Sequence, residues 1–324
     1  MRWRGRRQTT NITDVRGQSG GLGGGLGIPG GFGRGGGPSI RIPMGGRSGG
    51  GGLGCGTLIV IGIVMWMLGI NPMVLLNSLG GDLGGSLGGG LGPSVTQQQA
   101  PTGAGRQGGA NQNEMTQFVR TILASTEDVW TDIMKGYGKS YPPPETILFT
   151  GGVRSACGMA SSATGPFYCP GDKKVYIDLS FYDTLARQFG AKGDFAQAYV
   201  LAHEVGHHVQ NIIGVLPQFN RMRQSMGKLE ANQMSVKVEL QADCFAGIWG
   251  HYVSKEGWLE RGDLEEAMDA ATKIGDDNIQ KQTQGYVVPD AFTHGTSAQR
   301  KKWFRRGFDS GRIESCDTFN TRDL

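Results

Sequence analysis

The chain has 324 residues, a net charge of only +4 and 38% hydrophobic residues, a size that allows one or two domains. Glycine is unevenly spread, with 36 of the 57 glycines in the first 110 residues. A glycine-rich chain buries too little apolar surface to offset its ordering entropy, so composition excludes a folded domain in the first third. Residues 111–324 have an ordinary composition and are long enough for a sizeable core.

Residues 1–52 are predicted to form a disordered, basic, glycine-rich tail. Eight arginines and a single acid, Asp14, lie in residues 1–54. Arginine and glycine together are also found in tails that bind nucleic acid. Charge beside a membrane segment explains the arginines more simply, so we expect no nucleic-acid partner.

Residues 53–76 are predicted to form one transmembrane helix. No charged side chain occurs from Leu53 to Ile70, and such a helix rises about 27 Å, close to the hydrocarbon thickness of a bilayer. A cleaved signal peptide is the alternative, but the preceding segment is too long and no clear cleavage site follows. The arginines before this helix predict a cytoplasmic N-terminus and a periplasmic, extracytoplasmic domain.

The remaining chain is predicted to be a flexible linker followed by an α+β domain. Residues 77–110 are rich in Gly, Ser, Gln and Pro, which is typical of a linker. In residues 111–324 strands precede most of the helices, which makes α+β the expected class. Apolar spacing and turn residues predict a helix over about 118–133, a strand over 146–149, a hairpin over 167–178 that turns near 170–172, and helices over about 181–189, 218–254, 263–274 and 296–306.

The clearest chemical signal is a His-Glu-x-x-His motif in a mostly apolar predicted helix that runs from Asp194, as N-cap, to Gly214. Residues four apart share a helix face, so His203 and His207 can direct two imidazoles at one metal ion. Glu204 lies at the edge of that face, where a carboxylate can take a proton from metal-activated water. The alternative is a pair of solvated histidines, for which an apolar helix is a poor place.

A catalytic zinc site also needs a third protein ligand. Glu239 and Asp243 lie four apart on a predicted helix, so Glu239 can bind the metal while Asp243 accepts the N–H of a ligand histidine. Gly206 would allow the two helices to approach closely. The alternative is that Glu239 is a solvated charge paired with Lys237 or Arg223. Zinc is inferred from ligand type, and manganese or iron could bind the same set.

These motifs resemble the gluzincin class of metallopeptidases, in which His-Glu-x-x-His is followed by Glu-x-x-x-Asp on a later helix. The chain more closely resembles the bacterial "putative neutral zinc metallopeptidase" family, membrane-anchored proteins with a basic, glycine-rich N-terminus. The resemblance covers about residues 111–324, together with the general plan of the N-terminus. The segments that carry it are 167–181, 201–210, 239–249 and 292–307.

The resemblance implies a zincin-like fold with the motif helix packed under a small sheet. It implies one zinc ion per chain, bound by His203, His207 and Glu239. Glu204 would be the general base, and Asp243 would accept a hydrogen bond from a ligand histidine.

Several other side chains are candidates for the same site. His294 lies in a loop before a predicted helix, where gluzincins commonly place a histidine, so the resemblance implies a donor to the oxyanion. The alternative is a histidine that packs locally. Tyr176 and Tyr199 are weaker candidates for this role. His208 faces about 100° away from the ligand face, and we expect both it and His251 to be structural.

Four cysteines lie in the predicted domain, and Cys55 lies in the predicted membrane segment. Outside the cytoplasm disulfides are permitted, and four cysteines allow three pairings. Cys157 with Cys169 closes a short loop around the hairpin and is the favoured pair. Cys244 with Cys316 then remains.

Together these features predict a single-pass membrane protein with an external zinc endopeptidase domain that acts on a peptide or protein. Residues 175–177 are either the sheet edge on which an extended peptide pairs, as in zincins generally, or an interior strand. A catalytically silent metal-binding scaffold is the chief alternative. The intact Glu204 argues against it, because a purely structural site has no need of that carboxylate.

Overall fold

The computed structural model describes residues 1–17, 105–188, 190–191 and 193–324. These ranges form a mixed α+β structure with two small sheets. Its strands are β1 (Ile12–Asp14), β2 (Glu145–Phe149), β3 (Gly152–Ser155), β4 (Gly158–Ser161), β5 (Phe167–Cys169) and β6 (Lys174–Asp178). Its α-helices are α1 (Gly105–Gly136), α2 (Ser180–Arg187), α3 (Asp194–Ile213), α4 (Val215–Arg223), α5 (Lys228–Lys255), α6 (Asp263–Lys273), α7 (Asp276–Gln284) and α8 (Ser297–Ser310).

The main sheet has four strands in the order β1-β2-β6-β5. Strands β1, β2 and β6 are parallel, and β5 returns antiparallel to β6 through the predicted hairpin, with Phe167 opposite Tyr176. Strand β6 is therefore interior, which answers the open question about residues 175–177. The edge of the sheet next to α3 is β5, and β3 and β4 form a separate hairpin.

Helix α3 lies at the centre of the domain between the sheet and the other helices. Fourteen of its 20 residues are buried, as its apolar composition predicts. It packs against α5 where Gly206 meets Ala242: a Cβ at Gly206 would lie 2.9 Å from the Ala242 carbonyl oxygen. The close approach expected of this glycine is therefore present, and it brings the faces of α3 and α5 that carry the site together.

Some predicted helices have different boundaries in the structure. The helical region expected over about 218–254 consists of two helices, α4 and α5, separated by a turn at residues 224–227. Helix α7 was not predicted. Helix α3 has Gly193 as its N-cap and Asp194 as its first residue. The Asp194 carboxylate instead accepts a hydrogen bond from the Met1 amino group at 2.7 Å.

The first 17 residues are ordered and packed onto the domain, unlike the disordered tail that composition predicts for 1–52. Strand β1 adds to β2 with Ile12 opposite Thr146. Trp3 is 5% exposed, and its ring meets Phe118 edge-on with centroids 5.3 Å apart. The burial of Trp3 and the pairing of β1 with β2 thus hold residues 1–17 on the domain, although the glycine content of residues 1–52 predicts a disordered tail.

Several N-terminal arginines contact the domain rather than extending into solvent. Arg4 pairs with Glu114, and Arg7 pairs with Glu127 at 3.0 Å and with Asp128. The guanidinium of Arg6 lies 4.1 Å from the centroid of the Trp258 ring. Part of the basic charge therefore serves intramolecular contacts.

No helix within the described ranges has the length and apolarity that a membrane crossing requires. The predicted membrane segment 53–76, with Cys55, and the predicted linker over 77–104 lie outside the described residues, as does the tail beyond residue 17. The last part of that linker, from Gly105, begins helix α1.

Two disulfides join the described cysteines. Cys157 pairs with Cys169, linking the β3–β4 hairpin to β5, and Cys244 pairs with Cys316, linking α5 to the C-terminal segment. These are the pairs that the sequence favours.

Candidate metal centre

Three potential ligands converge where α3 crosses α5. His203 and His207 lie one helical turn apart on α3, and Glu239 faces them from α5. The Glu239 Oε2 lies 3.1 Å from His203 Nε2, and its Oε1 lies 3.5 Å from His207 Nε2. One nitrogen of each ring and one Glu239 oxygen all lie within 4.8 Å of one another. The structure thus brings the three expected ligands together.

The opposite ring nitrogens determine which tautomer each histidine adopts. His203 Nδ1 lies 2.8 Å from Asp243 Oδ1, and His207 Nδ1 lies 2.9 Å from Gln210 Oε1. Both partners are acceptors, so each Nδ1 carries the hydrogen when the ring is neutral, and each Nε2 lone pair faces Glu239. Two imidazole nitrogens and a carboxylate form a common ligand set of catalytic zinc, so these residues fit that ion.

Asp243 is fully buried at the centre of a polar network. It accepts hydrogen bonds from His203, from the Tyr199 hydroxyl at 2.5 Å, and from two nitrogens of Arg300 at 2.8 and 2.9 Å. Arg300 was not singled out from the sequence. The signal that could have found it is its place on the same predicted helix face as Trp303 and Phe304, both fully buried.

This network sets the charges at the ligands. Burial opposes ionisation of Asp243, but Arg300 and His203 lower its pKa to about 2. Burial likewise disfavours charged His203, yet Asp243 and Glu239 raise its pKa to about 10. A proton therefore occupies this ring without a cation, and a cation bound at Nε2 would take its place.

Glu204 lies beside the ligands at the wall of a cleft of about 530 Å³. Its side chain is buried, and burial raises the pKa of the carboxyl above its ordinary value, while the backbone of Tyr168 on β5 hydrogen-bonds to it and opposes that rise. A carboxyl with this environment, next to a cation site, is suited to accept and return a proton.

His294 also lines the cleft, held there by Asp276. Asp276 Oδ2 accepts the backbone N–H groups of Thr293, His294 and Gly295, and Oδ1 lies 3.2 Å from His294 Nδ1. Burial opposes protonation of His294, but Glu239 and Asp276 raise its pKa. The ring is thus oriented near the ligands, and its protonated form is favoured.

The other histidines and tyrosines have structural contacts. His208 receives the Tyr168 hydroxyl at Nδ1 and donates from Nε2 to the Pro142 carbonyl at 2.7 Å. His251 donates to the Phe308 carbonyl, joining α5 to α8. Tyr176 donates to Asp172 outside the ligand group. The Tyr199 hydroxyl donates to Asp243.

A mixed α+β domain with small sheets and this ligand set fits a zincin-like metal centre. The chain belongs to the family described as "Putative neutral zinc metallopeptidase", which it matches over residues 1–319. The family name implies zinc as the metal. The match begins at residue 1, in agreement with the packing of the N-terminal segment on the domain.

Two relatives illustrate the extent of the similarity. The chain is 46% identical over 319 residues to "Uncharacterized protein YpfJ" of Escherichia coli K12, covering 98% of this chain and 99% of the relative. It is 42% identical over 228 residues to "Uncharacterized protein Rv2575" of Mycobacterium tuberculosis H37Rv, covering 67% and 75% of the two chains. No solved structure gives a significant match.

Proposed function

We propose that this protein is a zinc-dependent endopeptidase in which Glu204 is the general base. The observation that carries the proposal is the convergence of His203, His207 and Glu239 within 4.8 Å, with Glu204 adjacent at the cleft wall. A purely structural metal site is normally closed by four protein ligands, whereas three ligands beside a cleft leave a position for a reactant.

The chemistry divides between the ion and the side chains. Zinc at this site would supply a positive charge that acidifies water and polarises a carbonyl oxygen. Glu204 takes the proton of the attacking water and delivers it to the leaving amine. His294, held by Asp276, donates to the oxyanion that develops on the carbonyl.

The proposed substrate is an extended peptide or protein segment. Strand β5 is the sheet edge nearest the site, and Phe167 and Tyr168 line the cleft. An edge strand can pair with an extended chain through main-chain hydrogen bonds. An apolar cluster of Tyr168, Leu216, Phe219 and Val238, all of which line the cleft, would then receive a substrate side chain.

We also propose that the domain acts outside the cytoplasm and is attached to a membrane through residues 53–76. The two disulfides support this placement, because disulfides persist mainly in oxidising compartments.

The test compares the full chain with Glu204→Gln and with Glu265→Gln, an exposed glutamate on α6 that serves as the control. We expect equal zinc content in all three. We expect cleavage of an unfolded protein to fall by about 10²- to 10⁴-fold in Glu204→Gln only. His294→Ala should retain zinc and lose about 10²- to 10³-fold in kcat.

Two results would contradict the proposal. Cleavage by Glu204→Gln at the wild-type rate would remove Glu204 from the mechanism. Zinc in every variant with cleavage by none of them would favour the catalytically silent scaffold.

A further inference from the structure

The two histidines of the candidate centre are supported by unlike partners. His203 donates to Asp243, an anion held by Arg300, whereas His207 donates to the neutral amide oxygen of Gln210 at 2.9 Å. Gln210 is fully buried, so its own hydrogen bonds must be made within the protein.

The remaining contacts of Gln210 fix the direction of its amide. Its Nε2 donates to the Val238 carbonyl at 2.7 Å and to the Gln241 Oε1 at 3.0 Å. A flipped amide would set its oxygen against those two oxygens and its NH₂ against the Nδ1 hydrogen of His207. Gln210 can therefore present only its oxygen to His207, which leaves the Nε2 lone pair of that ring facing Glu239.

The chain of amides continues to the C-terminal segment. The Nε2 of Gln241, a residue 6% exposed, donates to the Cys316 carbonyl at 3.0 Å. Cys316 is joined to Cys244 on α5, and the Thr318 hydroxyl donates to the Lys237 carbonyl at 2.7 Å. The Cys316 carbonyl, the last acceptor in this series of hydrogen bonds, is thus fixed to α5, the helix that also carries Glu239.

We infer that Gln210 and Gln241 are positioning residues for the metal ligand His207, with the segment at Cys316 as their anchor. The inference rests on the proposed function only in taking His207 as a ligand. Neither glutamine acts on the substrate. Their effect is to hold one tautomer and one ring orientation, a role that strengthens metal binding by about 10- to 100-fold in other proteins.

The experiment measures zinc affinity by competition with a chelator, using the full chain. Gln210→Met keeps the length of the side chain but has no acceptor, and we expect an affinity loss of about 10- to 100-fold. Gln210→Glu restores an acceptor for His207 but sets its second oxygen against the Val238 carbonyl and Gln241 Oε1, so only part of that loss should be recovered. Gln280→Met, which changes a buried glutamine of α7 that donates to no metal ligand, is the control and should bind zinc normally.

Gln241→Met tests the hydrogen bonds that link Gln210 to the Cys316 carbonyl. Because Gln241 acts through Gln210, we expect a smaller loss from this change alone and no further loss when Gln210 is already Met. Thermal unfolding of the metal-free variants separates an effect on the ligand from an effect on folding. Gln241→Met also provides the test if Gln210→Met does not fold.

The outcomes distinguish this inference from the proposed function. A folded Gln210→Met with wild-type zinc affinity would overturn the inference, as would strictly additive losses in the double variant. A wild-type chain that binds zinc tightly but cleaves nothing would overturn the peptidase and leave the role of the glutamines intact. A chain without zinc affinity would overturn both.

Discussion

Arg300 shows how a single side chain outside the ligand set supports the centre. It is the only described cation paired with Asp243 besides His203, and both partners are almost fully buried. Removing one partner of a buried ion pair leaves an uncompensated charge, which costs more than the pair contributes.

We therefore expect Arg300→Met to lower the free energy of unfolding of the metal-free protein by about 3–5 kcal/mol. Arg305→Met is the control: it lies on the same helix and breaks an exposed pair with Asp309, for which a change of about 0–1 kcal/mol is typical. Urea unfolding monitored by circular dichroism measures both. Equal effects of the two changes would contradict the importance of the buried pair.

Asp178 provides a prediction about pH. Burial opposes its ionisation, but hydrogen bonds from the Ser162 hydroxyl and from the backbone of Ser180 and Gly151 lower its pKa below the ordinary 3.8. A lowered pKa contributes stability that is present above 3.8 and is lost as the pH falls through the folded-state value.

At neutral pH, Asp178→Asn should therefore be less stable than wild type by about 1–3 kcal/mol. This difference should shrink as the pH falls below 3.8, because the wild-type carboxylate then becomes protonated. Unfolding at a series of pH values is the measurement, with the exposed Asp183→Asn as control. A difference that stays constant down to the lowest pH would show that the ionised form has no special role.

Among the helices, α5 and α8 form the closest contact, through two glycines. A Cβ at Gly307 would lie 1.9 Å from the Cys244 carbonyl oxygen, and one at Gly247 would lie 2.0 Å from the Phe304 carbonyl oxygen. Both oxygens belong to the backbone, so no side-chain rotation can relieve the overlap. This contact sets the position of Arg300 on α8 relative to Asp243 on α5.

Gly307→Ala should therefore destabilise the protein by about 1–3 kcal/mol or more, because the two helices must separate. It should also weaken zinc binding, since Arg300 moves with α8. Gly136→Ala, at the end of α1 where nothing lies within 4 Å of a Cβ, is the control and should be neutral. Wild-type stability and zinc affinity in Gly307→Ala would contradict this account of the contact.

Local sequence patterns account for the motif helix and the hairpin that were predicted, whereas strand β1 and the role of Arg300 depend on contacts distant in sequence. The motif helix and the hairpin over 167–178 follow from apolar spacing and turn residues within a few positions. Strand β1 has three residues, and its partner β2 lies more than 130 positions away. The role of Arg300 depends on Asp243, 57 positions earlier. Neither the β1–β2 pairing nor the Arg300–Asp243 pairing can be read from the residues that surround each partner in the sequence.

The same reasoning applies to the candidate site. The helical period places His203 and His207 on one face, and a second helix with two acids suggests Glu239 and Asp243. The amide chain from Gln210 depends on the way α3, α5 and the C-terminal segment pack, which periodicity does not encode. The histidine and glutamate ligands can thus be predicted from the sequence more readily than the amide groups that orient them.

At the scale of the whole molecule, strand β1 constrains how the chain can meet a bilayer. Its backbone hydrogen-bonds to β2, so residues before 18 and after 104 share one aqueous compartment. A single crossing between them would put the bilayer between two paired strands. An arrangement with both ends in one compartment differs from the orientation expected from the arginines, which places the two ends on opposite faces.

We expect both ends of the chain on the same face of the membrane, so that any anchoring segment must enter and leave from that face or cross an even number of times. Exposed positions Gln8 and Arg322 can each be replaced by cysteine and treated in intact cells with a membrane-impermeant maleimide. Labelling of both is the expected result for a domain outside the cytoplasm, and protection of both would keep the strand pairing but contradict that placement. Labelling of one with protection of the other would mean that the strand pairing is absent in the cell. The pairing of β1 with β2 thus predicts that residues 1–17 lie on the same side of a membrane as the domain.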